Sequence, residues 1–382
     1  MKKPSYIPRW AEEALIRETE TSPVVMLLGA RQVGKTTLLK NCLVPRGWTY
    51  MTADDPDQMV ALAADPKSVL KSAGDVILDE FQHMPEGIDR VVKLLVDNIE
   101  GVRFVLTGSS TSGILRSLGD SMAGRSSIVS MYPPAPGEWP GNTEWTKGLL
   151  PRVRLGYRNE DAWLSFWKGY EVAIVQKDIP AVSDIRNPAE IYRLCRLLAD
   201  RAGCRINFQD LAGDMGGVAL TTVKRWVNAL EAVGVVELLP PWVNASSRFR
   251  KSPKLYFFDP GFASYLGNTD GGSLFENAAF TTLRAWSSLK PGTGLFWYLD
   301  RNNREVDFIL QSRDGNIGFE AKKASSVNLS HAKNLIEARR EGLIHEGYVI
   351  FDGEGKQQLS EGVFALGLRS LTPKFPSDGS SL

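Results

Sequence analysis

Gly29-Ala-Arg-Gln-Val-Gly34-Lys35-Thr36 has the spacing G-x-x-x-x-G-K-[ST]. Residues of these types in this order hold polyphosphates. The two glycines let the backbone N–H groups of Gly29, Ala30, Arg31, Gln32, Val33 and Gly34 wrap the phosphates. Lys35 reaches the terminal phosphates, and the hydroxyl of Thr36, with Thr37 after it, opens a helix whose positive end adds to the attraction. The Thr36 hydroxyl is suited to ligate Mg²⁺. Downstream, Asp79-Glu80 closes the apolar run Val76-Ile-Leu78. Asp79 is suited to hold Mg²⁺ through water, and Glu80 to orient and deprotonate an attacking water. The alternative for these two is a pair of solvated acids after an edge strand. The sequence holds no Asn-Lys-x-Asp tetrapeptide for reading guanine, so ATP is expected rather than GTP. Thr107 and Ser109, in Thr107-Gly-Ser-Ser110, could sense the terminal phosphate with a hydroxyl or serve plain turn chemistry. Arg125, in Ala123-Gly-Arg125, reads either as an arginine finger or sensor or as a surface arginine.

These groups need a scaffold. Val24-Val-Met-Leu-Leu28, Val76 to Leu78 and Val102 to Leu106 are continuous apolar runs separated by helical stretches, the pattern of a parallel sheet covered on both faces. An α/β phosphate-loop domain over residues 1–135 is therefore expected. Four prolines between Met131 and Pro140 mark its end, and 136–185, rich in tryptophan, reads as a connecting segment. With 382 residues the chain is long enough for two or three domains. Forty-five basic and 44 acidic residues leave a net charge of +1, which excludes disorder and a uniformly basic coat. Cys42, Cys195 and Cys204, like His83, His331 and His345, are too scattered for a disulfide frame, a zinc site or a histidine triad. No apolar run is long enough to span a bilayer, so no membrane partner is expected and a cytoplasmic location fits.

Residues 186–260 read as a winged helix-turn-helix. Asn207 caps a short helix, Gly213 to Gly217 form the turn, and Thr221 or Thr222 caps a helix with Val223, Trp226, Val227 and Leu230 on one stripe. Lys224, Arg225 and Asn228 then lie outside, as on a DNA-reading helix. Strands at Val235–Leu239 and Leu255–Phe258 follow. Between residues 221 and 254, six basic residues (Lys224, Arg225, Arg248, Arg250, Lys251, Lys254) stand against Glu231 and Glu237. The cluster Arg248 to Lys254 suits phosphate contacts at a wing tip. The alternative is a solvated loop beside a helix that packs on protein.

In residues 261–370 the preferred hairpin turn Asp314-Gly315 predicts that Asp307 pairs with Lys322 and Glu320 with Ile309. Asp307, Glu320 and Lys322 then share one face, two carboxylates for Mg²⁺ and a lysine for developing charge, as a metal-dependent nuclease requires. Glu276 reads either as a helix-borne ligand or as the last member of a Ser273-x-x-Glu276 capping box. Residues 371–382 read as a flexible tail.

The order GARQVGKTT, VILDEFQ, VLTGSS and AGRSSIVSMYPPAPGE resembles the bacterial and archaeal AAA-type ATPases that carry a DUF4143 C-terminal region. The likeness continues through Lys177-Asp178-Ile179-Pro180, Pro253 to Asp259, Phe275-Glu276-Asn277 and Glu305-Val-Asp307-Phe308. Asp307 followed by Glu320-Ala-Lys322 is similar to the PD-(D/E)xK restriction-endonuclease fold. The resemblance implies an AAA-like ATPase domain, then winged-helix and α/β nuclease-like domains, with ATP and Mg²⁺ as cofactors. DNA is the expected partner, for a remodelling or processing ATPase, and self-association is left open. The rival expectation is an ATP-gated switch acting on a protein, its nuclease-like domain inactive.

Overall fold

The computed structural model describes residues 6–108, 122, 124–139, 144–156, 159–185, 187–242 and 251–373. The chain forms two compact units. One comprises Met1–Tyr132, Ala173–Ile185 and Ala232–Gly234; the other comprises Pro133–Val172, Arg186–Glu231 and Val235–Leu382. This grouping differs from the expected boundaries, because stretches from the middle of the chain return to the first unit.

In the first unit β1 (Val24–Leu28), β2 (Thr49–Thr52), β3 (Val76–Asp79), β4 (Phe104–Gly108) and β5 (Ser126–Ser130) form a sheet in the order β2-β3-β4-β1-β5. Every pairing is parallel, with Val24 beside both Phe104 and Ser126, and Val76 beside Thr49 and Phe104. Leu28, Asp79 and Thr107 therefore reach the same edge, where ligands of open α/β sheets bind. β1, β3 and β4 are buried along their whole length, which accounts for their unbroken apolar sequences. Leu62, Leu70, Ile88, Val92 and Leu95 cover one face over Val24, Met26, Leu78 and Phe104. Two of the helices involved start on clear signals. Asp55 and Asp65 accept first-turn N–H groups and each is followed by proline, at the heads of Pro56–Ala64 and Pro66–Ala73.

The second unit begins with tryptophan-rich chain, which the sequence suggests is a connecting segment and which is here largely helical. The helix Glu160–Ala173 buries Trp163, Trp167 and Tyr170, spaced i, i+4, i+7. Their rings pack on Phe262 and Tyr265. Asp259 joins the two stretches, accepting from the N–H groups of Leu149 (2.8 Å), Leu150 (2.9 Å) and Gly261 (2.7 Å). Burial raises its carboxyl to about 6 against those hydrogen bonds. Gly261 has no room for a side chain, since a Cβ would meet the Lys147 carbonyl and Gly148.

Helices Pro188–Ala199, Phe208–Asp214 and Leu220–Ala232 follow, the first two capped by Asn187 and Asn207 as an asparagine before a helix predicts. The third starts at Leu220, so Thr221 and Thr222 lie inside it rather than capping it. Gly234 ends it at φ 73°, and the Val235 N–H returns to the Leu230 carbonyl. β6 (Val236–Leu239) and β7 (Lys254–Phe257) then pair antiparallel.

The C-terminal sheet runs β12-β13-β11-β10-β9-β8, with β8 Gly294–Leu299, β9 Glu305–Ser312, β10 Gly315–Lys322, β11 Glu346–Phe351, β12 Lys356–Ser360 and β13 Val363–Gly367. The β9–β10 register corrects the expected one. Gly318, not Glu320, stands opposite Ile309, and Gly315 pairs with Ser312. The turn residues are thus Arg313-Asp314. The Ser312 hydroxyl holds them by accepting from the Asp314 N–H (3.2 Å) and donating to the Gly315 carbonyl (3.0 Å). A shift of two residues preserves the face. The last pair is Phe319 with Phe308, and the same register continued beyond it takes Asp307 toward Glu320, and Lys322 toward Glu305 rather than Asp307.

Candidate functional site

Gly29 to Gly34 form the loop that leaves β1 and enters the helix Lys35–Cys42. Gly29 is required by close approach, because a Cβ there would run into the Met131 carbonyl. Gln32 (φ 64°) and Gly34 (φ 103°) turn the chain through the left-handed region. The Lys35 ammonium is buried and donates to the Gly29 (2.8 Å) and Ala30 (3.0 Å) carbonyls. Burial lowers it to about 8, opposed by the charges of Glu80 and Asp79. Val33 is buried and its carbonyl accepts from Arg9 (2.8 Å), which also binds the Tyr132 carbonyl. Thr37 is exposed, and its carbonyl accepts from the Asn41 amide at 2.8 Å.

Asp79 ends β3, where one oxygen accepts from the Thr36 hydroxyl (2.7 Å) and from Tyr50 (2.5 Å). Burial and that bond to Asp79 hold the Tyr50 phenol well above its usual range. A hydroxyl and a carboxylate in contact are the oxygen donors a hard divalent cation takes, so these residues fit the expected Mg²⁺. Glu80 sits at φ 55° and its carboxylate accepts from the Gln82 amide at 2.5 Å. A non-glycine residue in this region stores strain, as groups held for chemistry often do. Thr107 lies beside Leu27 on β1, and its buried hydroxyl has no hydrogen-bond partner among the described residues. Thr107 stands near the C-terminal end of β4, at the edge to which the loop and Asp79 also belong. Ser109 lies outside the described residues.

Arg125 is a correction. It precedes β5, its carbonyl accepts from the Val24 N–H at the start of β1, and its guanidinium pairs with Asp97 (2.5 Å). That is the opposite end of the strands from the loop, about 16 Å away for a five-residue strand. It therefore does not reach a nucleotide held by its own subunit. Arg31 is instead engaged by Asp178, to which the sequence alone assigns no role.

In the second unit Lys224, Arg225 and Asn228 are exposed on the helix Leu220–Ala232, while Val223, Trp226, Val227 and Leu230 are buried. The Lys224 ammonium lies 5.6 Å from the Phe208 ring centre. Arg248 and Arg250 are outside the described residues. Two members of the expected basic cluster are corrected. The Lys251 ammonium donates to the Leu299 carbonyl. Lys254 is buried among acids, its ammonium 3.0 Å from Glu276, 2.6 Å from Glu305 and 3.7 Å from Asp307.

That last contact changes the reading of the C-terminal acids. Glu276 is not in a capping box, since Asp270 caps the helix Gly271–Ser288; its carboxylate accepts from Lys254 and from Tyr256 (2.6 Å). Asn277 beside it makes two hydrogen bonds of 2.8 Å to the backbone of Phe257. Asp307 accepts from the Ala321 N–H (2.9 Å), and Lys322 donates to Glu320 (3.0 Å). Burial first and the Asp307 charge second push Glu320 up to about 8, and the same two causes raise Glu276. Desolvation lowers Lys254, but the three carboxylates outweigh it and raise the ammonium above its usual range. The expected Asp307 and Glu276 are thus brought together, with Glu305, around the Lys254 ammonium, while Glu320 pairs with Lys322. Among the described residues no group of three or more His, Cys, Asp or Glu is arranged to hold a metal ion. The signal for Lys254 was in the sequence, as a single charge at the head of the apolar run Leu255 to Phe258.

Parallel strands delivering a phosphate loop, an acid pair and a buried threonine to one edge define a phosphate-loop ATPase. Residues 21–139 match the family described as AAA domain, 142–272 a domain of unknown function (DUF8612), and 271–371 a domain of unknown function (DUF4143). The chain thus carries an AAA-type ATPase domain, followed at its C-terminal end by a DUF4143 region. An uncharacterized protein of Mycobacterium tuberculosis, Rv2008c, is 29% identical over 379 residues, covering 94% of this chain and 83% of that one. The same values hold for Mb2031c of Mycobacterium bovis. Among solved structures, the Walker-type ATPase PABY2304 of Pyrococcus abyssi is 14% identical, covering 69% of this chain and 97% of its own, with TM-score 0.46. AMPPCP-bound DnaA from Aquifex aeolicus is 17% identical over 58% of this chain and 85% of its own, with TM-score 0.31. No helix among the described residues is long and apolar enough to cross a membrane.

Proposed function

We propose that this ATPase works on DNA, which it engages through a helix-turn-helix in the second unit. One observation carries the reading: the helix Leu220–Ala232 buries its apolar stripe and leaves Lys224, Arg225 and Asn228 exposed on the other side. An antiparallel strand pair follows it, the order of a winged helix-turn-helix. At the nucleotide, Lys35 holds the terminal phosphates and Glu80 takes the proton of the attacking water. Thr36 and Asp79 would hold Mg²⁺, which when bound neutralises charge on the phosphates. For the C-terminal region, the Lys254 ammonium among the carboxylates favours a docking role over metal-dependent cutting.

The test is ATP turnover with and without single-stranded, duplex and branched DNA. At least one form should stimulate turnover. Reversing Lys224 and Arg225 to glutamate should remove the stimulation, weaken DNA binding and flatten its salt dependence, because fewer counterions are released. Turnover and affinity unchanged in that variant would move the helix to protein packing.

A further inference from the structure

We propose that Asp178 is a positioning residue of the ATP site, acting through Arg31 on the loop that holds the phosphates. Arg31 lies inside the loop, between Gly29 and Gly34. Its Nε donates to one oxygen of Asp178 (3.0 Å) and its Nη2 to the other (2.5 Å), so the planar guanidinium meets the planar carboxylate along two parallel bonds. The Asp178 side chain is only 8% exposed, and that of Arg31 is 31% exposed. A fork of this kind fixes orientation as well as distance. The next residue, Gln32, is held at φ 64°, a strained conformation for a non-glycine residue. An anchor on Arg31 is placed where it can hold that strained turn open for phosphates.

The carboxylate comes from far along the chain. Asp178 closes the π-helical turn Ile174–Asp178, 147 residues after Arg31, in a stretch that returns to the first unit. Such wide turns recur at functional sites. Both charges are also felt at Lys35, where Arg31 lowers the ammonium and Asp178 raises it. The pair therefore lies within electrostatic reach of the group that meets the terminal phosphates.

Charge and geometry make opposite demands, which separates a positioning role from a merely electrostatic one. Asp178→Asn removes a negative charge near a site that binds a polyanion, so electrostatics alone predicts tighter ATP binding. If the pair positions the loop, ATP binds more weakly. Misplacement of a positioned group by about 1 Å can cost 100-fold. Asp178→Asn should raise the KM for ATP about tenfold or more, with kcat within about threefold of wild type, and weaken equilibrium binding of a fluorescent ATP analogue in parallel. Arg31→Lys keeps the charge and loses the fork, so it should raise KM in the same direction. Asp178→Glu keeps both carboxylate oxygens and should restore much of the affinity.

Measurements are made on the full chain without DNA, so they are independent of any role in DNA handling. Thermal unfolding identifies a variant that has lost its fold, and Arg31→Lys, at the more exposed partner, keeps the test decisive if Asp178→Asn is unstable. KM unchanged or lowered in a folded Asp178→Asn overturns the proposal, as does Arg31→Lys with wild-type KM.

Discussion

Replacing Lys254 by methionine removes a buried ammonium from among three carboxylates while keeping most of the volume. At the effective dielectric suited to such sites, a pair 3 to 4 Å apart is worth about 4–6 kcal/mol gross. The contacts to Glu276 and Glu305, at 3.0 and 2.6 Å, are both in that class or stronger. Two effects reduce the net loss. The variant no longer carries the desolvation cost of the ammonium, and the Glu276 and Glu305 side chains, 21% and 35% exposed, recover water. A destabilisation of about 3–5 kcal/mol at pH 7.5 remains, the range found when one partner of a buried pair is removed. Urea unfolding followed by fluorescence reads it, since Trp167, Trp286 and Trp297 are buried in the second unit. ATP turnover serves as the control that the first unit is intact. The pH dependence has a definite sign. Glu276 is already raised, and without Lys254 it rises further. A carboxyl whose folded pKa exceeds its unfolded one contributes stability that is complete below the unfolded value and lost as pH rises through the folded one. The deficit must therefore shrink as pH falls from 8 toward 5. A loss below about 1 kcal/mol, the level of an exposed ion pair, or a deficit that grows on acidification, would refute the reasoning.

At the ATP site, Lys35→Ala should abolish nucleotide binding, and Glu80→Gln should bind ATP yet turn it over about 100-fold more slowly or worse, since Thr36 and Asp79 remain while the base is gone. Single-turnover kinetics beside equilibrium binding distinguish the two, and wild-type turnover in Glu80→Gln removes that residue from its role. For Glu320, raised to about 8, wild-type stability should fall between about pH 4.5 and 8, by on the order of a few kcal/mol, as the buried carboxyl is forced to ionise. Glu320→Gln should flatten that stretch of the stability profile, and a profile unchanged by the substitution would mean that the carboxyl is not the group titrating.

What the sequence made legible is what neighbouring residues determine. A strand end, a glycine turn and a helix start adjoin one another between Val24 and Lys35, so the phosphate loop could be read with its geometry, and Asp79 followed from the end of an apolar strand. Arg125 shows where adjacency misleads. It follows the Thr107-Gly-Ser-Ser110 motif in sequence, but a parallel sheet returns the chain to the far end before β5 starts, so a residue just before a strand lies at the opposite end from one just after it. The hairpin was misplaced by two residues because Ser312 adds bonds that a turn preference does not contain, and the face survived only because two is the period of a strand. The sequence assigns Asp178 and Tyr50 no role and places Lys254 in a phosphate-binding cluster, since each acts on a partner brought in from distant chain. Even so, Lys254 left a local mark. A lysine heading a strand that is otherwise buried and apolar cannot remain uncompensated, because an unpaired buried charge costs far more than one strand's packing returns. Its presence requires carboxylates from elsewhere in the fold, and Glu276, Glu305 and Asp307 are those acids. The basic run from Arg248 to Lys254 should thus be divided at the start of β7, where the strand carries the last lysine out of reach of any phosphate.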